Sequence, residues 1–170
     1  MTNIGILQGG KGKTTYNIIR QILKYTTNLN VSNLDLINYT NSQNKYNILI
    51  LSENVINFNI HEILCNKAII VLNIDEKLCY PIKLLNSASI ITYGFNSKAC
   101  ITASSVVNGS YNTVQFCIQR SISRLDGQIL EPQEFPVKTQ NKDILNVLSA
   151  VTTVILSGYD ISSLNHKFFV

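Results

Sequence analysis

The chain has 170 residues, of which 45% are apolar and only 14% charged, a balance that excludes intrinsic disorder and is enough for one hydrophobic core without disulfide or metal staples. The net charge of +4 is spread as isolated Lys and Arg residues, with one local concentration at Lys11, Lys13, Arg20 and Lys24. That concentration suits a small anionic ligand, and no basic stripe interleaved with aromatics points to nucleic acid.

Asn3 to Leu7 reads as a short buried strand running straight into Gln8-Gly9-Gly10-Lys11-Gly12-Lys13-Thr14-Thr15. Ile18, Ile19, Ile22 and Leu23 recur at helical spacing, so a helix of about three turns is predicted to follow the loop. Residues 28–47 are polar, with one candidate strand at 34–39. Asn47 to Leu51 is an apolar strand run ending at Ser52-Glu53, and a helix is predicted over 55–64. Ala68 to Asn73 is the next buried strand, closing on Ile74-Asp75-Glu76, and a helix near 81–86 leads to a strand at 89–93.

Beyond this point the period changes. Residues 99–107 and 113–122 alternate as antiparallel strands around Asn108-Gly109-Ser110, and Asp126-Gly127 signals a second hairpin leading into 128–137. Residues 143–157 form an apolar-faced helix stopped by Gly158. The expected fold is therefore a single α/β domain over 1–170. It has three layers, with a mostly parallel sheet, a C-terminal antiparallel hairpin layer and a final helix.

Cys65, Cys79, Cys100 and Cys117 are widely separated, with no C-x-x-C pair and no His at ligand spacing, so they are expected as reduced, packed thiols. No basic segment followed by an apolar one opens the chain. Its longest apolar stretches are strand-length, far short of the roughly twenty residues that span a bilayer. A soluble, cytoplasmic protein without a membrane partner is expected.

The sharpest feature is the loop. Backbone N–H groups converge on an anion where a buried strand turns into a helix N-terminus, and glycines let the main chain approach phosphate oxygens. Gly9, Gly10, Lys11, Gly12, Lys13, Thr14 and Thr15 are the candidate nucleotide-binding residues. Lys13 is assigned to the β- and γ-phosphates and the Thr14 hydroxyl to Mg²⁺. The common form of this motif places a glycine where the chain has Leu7, so the loop here is the shorter Gly9-x-x-Gly12-Lys13-Thr14-Thr15.

That spacing resembles the G-T-x-G-K-T-T loop of the Mur ligase central domain, shared with folylpolyglutamate synthase and cyanophycin synthetase. Ile91-Thr92-Tyr93-Gly94 through Ala103-Ser104 is similar to the family's T-Y-G segment with its following A-D-hydrophobic-x-A. Asn146-Val147-Leu148-Ser149-Ala150 is similar to its N-A-L-A-A helix, and Val71-Leu72-Asn73-Ile74-Asp75 to its strand ends. The resemblance covers nearly the whole chain in the right order. It implies ATP and Mg²⁺ as cofactors, used to phosphorylate a carboxylate so that an amine can attack the acyl phosphate. It also implies Glu53 as a metal ligand and Asn146 as an adenine contact. Read as residues alone, Glu53 is equally a solvated strand-end glutamate, and Asn146 equally a residue that caps or lines a helix.

Three departures bear on activity. One segment, 71–77, stands for two separate strand ends of the family, so the Asp-His and the modified lysine between them have no counterpart. Lys142-Asp143 replaces the family's H-N, which predicts weaker nucleotide contacts. No counterpart of the family's substrate and amine-binding domains is recognised in these 170 residues. The expectation is a reduced ATP-binding domain without independent ligase activity. One alternative is a small ligase completed by homo-oligomerisation or by separately encoded ligase domains. The other is a structural or regulatory protein that has lost nucleotide. A peptidoglycan-related role rests on the resemblance alone.

Overall fold

Short apolar runs in the first half become strands that are buried on both faces, as a parallel sheet requires. The structure is a computed structural model and describes residues 1–7, 12–24, 29–33, 45–51, 60–76, 88–164 and 168–169. In chain order these form β1 (Thr2–Leu7), α1 (Gly12–Ile22), β2 (Leu29–Asn33), β3 (Tyr46–Leu51), a 3₁₀ turn (Ile60–Ile63), β4 (Leu64–Asn73) and β5 (Ser89–Tyr93). The second half gives β6 (Ile101–Val107), β7 (Asn112–Ile118), β8 (Ile122–Ser123), β9 (Ile129–Leu130), β10 (Gln133–Thr139), α2 (Ile144–Leu156), a second 3₁₀ turn (Ile161–Ser163) and β11 (Phe168–Phe169).

Nine strands make one sheet in the order β11-β10-β7-β6-β5-β4-β3-β1-β2, while β8 and β9 pair separately. Within the nine-stranded sheet, among the described residues, pairing is parallel from β2 through to β6 and again between β10 and β11, and antiparallel at β6–β7 and β7–β10; β8–β9 is antiparallel as well. The mostly parallel α/β sheet is as expected. The antiparallel strands, however, are not a layer of their own: a single residue pair, Tyr93 with Ile101, joins them edgewise to the parallel part. Alternation identifies antiparallel strands in a sequence but does not say which edge they extend.

Strands β1, β3, β4 and β5 send alternate side chains to two cores. Ile48 and Ile50 of β3 join the core that holds α1 and α2, whereas Leu49 and Leu51 join the opposite one with Leu7, Ile70, Leu72, Ile60 and Ile63. Both described helices thus lie on one face. Of the helix expected over 55–64, residues 55–59 lie outside the described residues and 60–64 are not α-helical; the helix expected near 81–86 lies outside them altogether.

Several boundaries differ from the sequence reading. The segment 60–63 is a 3₁₀ turn, and β4 starts at Leu64 rather than Ala68. Lys67 takes a φ of 60°, and the β3–β4 register shifts between Tyr46 and Ile48. The early part of β4 is thus set off from the apolar run by an irregularity that hides it in the sequence. β2 is not anticipated by its polar stretch; among the described residues it is the last strand of the sheet, paired with β1. The candidate strand at 34–39 lies outside the described residues. The strand expected over 128–137 is split into β9 and β10 around Pro132. Pro136 lies within β10, opposite Gln115 of β7, and among the described residues β11 pairs with Lys138 and Thr139.

Helix α2 is buried along its whole length from Asn146 to Leu156. It packs on α1 and on β3 to β6, and its core also takes in Phe116, Phe135 and Val137 of the antiparallel strands. A helix apolar on every side is stable only when enclosed. Its start is fixed by Asp143, whose carboxylate accepts the Asn146 N–H at 3.4 Å. Its end is fixed by Gly158, at a φ of 104°.

Candidate functional site

The carboxyl ends of β1, β3, β4 and β5 are aligned, with Leu7 beside Leu51, Leu51 beside Leu72 and Asn73 beside Tyr93. From β1 the chain turns through α1 to β2 on one side, while β3 and its successors lie on the other. Strand order therefore reverses at β1, and in open α/β sheets ligands bind in the crevice outside the carboxyl ends at such a reversal. Leu7, which leads into the glycine-rich loop, ends at that point.

Of the predicted loop residues, Gly12, Lys13, Thr14 and Thr15 are described and form the first turn of α1. Gly9, Gly10 and Lys11 lie outside the described residues, as does the proposed metal ligand Glu53. Lys13 is exposed, Thr14 half-buried, and Gly12 and Thr15 buried. The first turn of α1 holds no acidic residue. Its leading N–H groups and the positive end of its dipole are therefore not offset by a carboxylate of that turn. The turn can attract an anion, and Lys13 adds a full charge to it.

The N-terminal turn of α2 lies against this one. The Thr15 hydroxyl donates to Asn146 Oδ1 at 3.3 Å and lies 3.2 Å from Ser149 Oγ, which also donates to the Asn146 carbonyl at 3.0 Å. Asn146 is only 5% exposed. The structure thus brings two predicted nucleotide residues together, through a contact between their own side chains. Lys142-Asp143, noted as a departure, supplies the carboxylate that caps α2. Of the two helix starts at this edge, the one with a carboxylate cap among the described residues is α2.

Sequence reasoning missed a second contact at the same edge. Asp75, just past β4, accepts the Phe95 N–H at 2.6 Å and the Asn96 N–H at 2.9 Å, while its own N–H donates to Asn73 Oδ1 at 3.0 Å. Gly94 has a φ of 150°, and a Cβ there would lie 2.6 Å from Asp75 Oδ1. The strand-end aspartate thus clamps the turn that follows Tyr93. An Asn-x-Asp at one strand end and a glycine at the next were visible signals, but their meeting depends on β4 pairing with β5.

Among the described residues, no group of three or more His, Cys, Asp or Glu is placed to hold a metal by itself. Of the two expected metal ligands, Thr14 is described and carries a hydroxyl oxygen on the first turn of α1. Two displaced acidities belong elsewhere. The Asp160 carboxyl is held below its usual range by the Ser162 hydroxyl and then by the Ser162 N–H, and burial raises the Cys117 thiol, with Glu134 adding to the effect. A cavity of about 420 Å³ is lined by Arg124, Phe135 and Asp160 among others, and by no candidate site residue.

No protein-family model and no curated protein sequence matches the chain. Solved structures do. MurF from Acinetobacter baumannii superposes with a TM-score of 0.63 at 8% identity, over 97% of this chain and 46% of that one. MurF ligase from Thermotoga maritima in complex with ADP gives a TM-score of 0.63 at 13% identity, over 98% of this chain and 48% of that one. The chain has a MurF-like fold. It spans slightly under half the length of the MurF structures it matches, as a single domain of such a ligase would. No helix among the described residues is long and apolar enough to cross a membrane.

Proposed function

We propose that these residues form a nucleoside triphosphate-binding domain of Mur-ligase type, corresponding to the central domain, with ATP and Mg²⁺ as its ligands. The observation that carries this reading is the placement of Gly12-Lys13-Thr14-Thr15 on the first turn of a helix at the strand-order reversal. Loop amides and Lys13 bind the phosphates; Thr14 and Glu53 supply oxygens to the metal. ADP in the similar Thermotoga maritima MurF supports a nucleotide at this fold. Cys65, Cys100 and Cys117 are free thiols, which supports a reducing, cytoplasmic setting.

Ligation demands more than nucleotide. A carboxylate must sit beside the γ-phosphate and an amine beyond it, and such alignment supplies several kcal/mol of the barrier reduction. We assign those substrates to surfaces outside these 170 residues, which match under half of a MurF ligase. Alone, the domain binds ATP without forming amide bonds.

Calorimetric titration of ATP with Mg²⁺ into the protein and into Lys13→Ala tests the reading. Removing the cation aimed at the phosphates deletes a charge-assisted contact of about 1.5–3 kcal/mol. Affinity is expected to fall at least about tenfold, with the fold retained. Equal affinity in the two proteins refutes the assignment.

A further inference from the structure

Thr15 closes the glycine-lysine-threonine-threonine run, yet its side chain is fully buried and its hydroxyl is turned toward α2. A hydroxyl has one proton to give. In this arrangement the Asn146 amide oxygen accepts it at 3.3 Å, while Ser149 Oγ, 3.2 Å from the Thr15 hydroxyl, gives its own proton to the Asn146 carbonyl at 3.0 Å. Asn146 is only 5% exposed, and its side-chain oxygen accepts the Thr15 hydroxyl.

Helix α2 is a rigid anchor for the contact. Its residues from 146 to 156 are buried, Asp143 caps it, the Asp143 N–H donates to Asn141 Oδ1 at 2.9 Å, and the Asn141 N–H donates to Thr139 Oγ1 at 2.9 Å. The free N–H groups of α1's first turn are aimed by the direction of that turn. A buried hydroxyl–amide contact spanning 131 residues of sequence therefore ties the anion-facing turn to a helix that is itself immobilised.

We propose that Asn146 is a positioning residue of the phosphate site, acting through Thr15 on the first turn of α1, and that it does not read the nucleotide base. This inference rests on the nucleotide-binding reading above. It sets a specificity: whatever Asn146 contributes to affinity belongs to the polyphosphate and is indifferent to the base.

The test compares ATP, GTP and inorganic tripolyphosphate binding to the unaltered protein, Asn146→Ala, Thr15→Val, Thr15→Ser and the Thr15→Val/Asn146→Ala double variant. Asn146→Ala and Thr15→Val are each expected to weaken all three ligands by a common factor of about tenfold. The double variant should be no weaker than the weaker single one, because both remove one shared contact. Thr15→Ser keeps the hydroxyl and should bind within about twofold of the unaltered protein. If Asn146→Ala does not fold, the near-isosteric Thr15→Val and the rescuing Thr15→Ser carry the comparison. Loss confined to ATP, with GTP and tripolyphosphate unaffected, overturns the proposal and leaves the nucleotide reading standing. An unchanged Thr15→Val does the same. Failure of the unaltered protein to bind any of the three refutes the nucleotide reading, and the proposal with it.

Discussion

Replacing Gly94 by Ala puts a methyl group where Asp75 holds the turn after β5. At a φ of 150° the added Cβ would lie 2.6 Å from Oδ1, 2.7 Å from Cγ and 2.8 Å from Oδ2 of the Asp75 carboxylate. Non-glycine residues in that backbone region carry a strain of about 1–3 kcal/mol. The carboxylate must also retreat, weakening bonds to the Phe95 and Asn96 N–H groups that now measure 2.6 and 2.9 Å. Bonds to a charged acceptor are worth about 1.5–3 kcal/mol, and exposure of Asp75 to water places this pair at or below the lower end. The expected loss is about 3 kcal/mol, a large share of the roughly 5–15 kcal/mol that holds a domain together. Urea unfolding should show a lower midpoint at unchanged slope, and thermal unfolding a fall of roughly 6–12 °C. Adding Asp75→Ala to Gly94→Ala should cost less than adding it to the unaltered protein, since the bonds it removes are already weakened and it relieves the clash. A loss for Gly94→Ala within about 0.5 kcal/mol, the range of ordinary surface changes, refutes the clamp.

Other perturbations separate the remaining elements. Asp143→Ala removes the α2 cap and should destabilise the fold by about 1 kcal/mol, read by urea unfolding; Asp143→Asn, which keeps an acceptor, should recover most of it. Glu53→Gln should reduce the gain in ATP affinity conferred by Mg²⁺ and leave Mg²⁺-free binding unchanged; an unaltered metal dependence assigns Glu53 to the solvated surface. Asp160, with its acidity strengthened in the fold, favours the folded state above the ordinary carboxyl range near about pH 4 and loses that contribution as pH falls through its lower folded value. Unfolding midpoints measured from pH 5 down to pH 2 should therefore fall less steeply for Asp160→Asn, and identical slopes would exclude the linkage.

Much of this architecture is written locally. The runs at 3–7, 47–51, 68–73 and 89–93 are apolar on both faces, so period and length alone mark them as strands of a covered parallel sheet. Gly12 with the isoleucines at 18, 19 and 22 marks α1, and Gly158 marks the end of α2. Lys13 and Thr14 could be named as candidate phosphate and metal residues from loop chemistry alone, because anion binding at a helix start depends on neighbours in sequence. Local pattern failed where a partner strand supplies the stability. Among the described residues the polar β2 is the last strand of the sheet, and the first residues of β4 are set off from the apolar run by the irregularity at Lys67.

What only the tertiary structure decided are the contacts between segments far apart in the chain. The sequence marks Thr15, Asn146, Asp75 and Gly94 as residues worth watching, but their chemistry is ambiguous one at a time, since a buried amide, a strand-end carboxylate and a glycine each serve several ends. Pairing β4 with β5 delivers the Asp75 carboxylate to the backbone after Gly94, and packing α2 on α1 delivers Asn146 to Thr15. The antiparallel strands were recognisable by alternation, but that they extend the parallel sheet at Tyr93–Ile101 is a choice of edge, which backbone hydrogen bonding makes and side-chain pattern does not record.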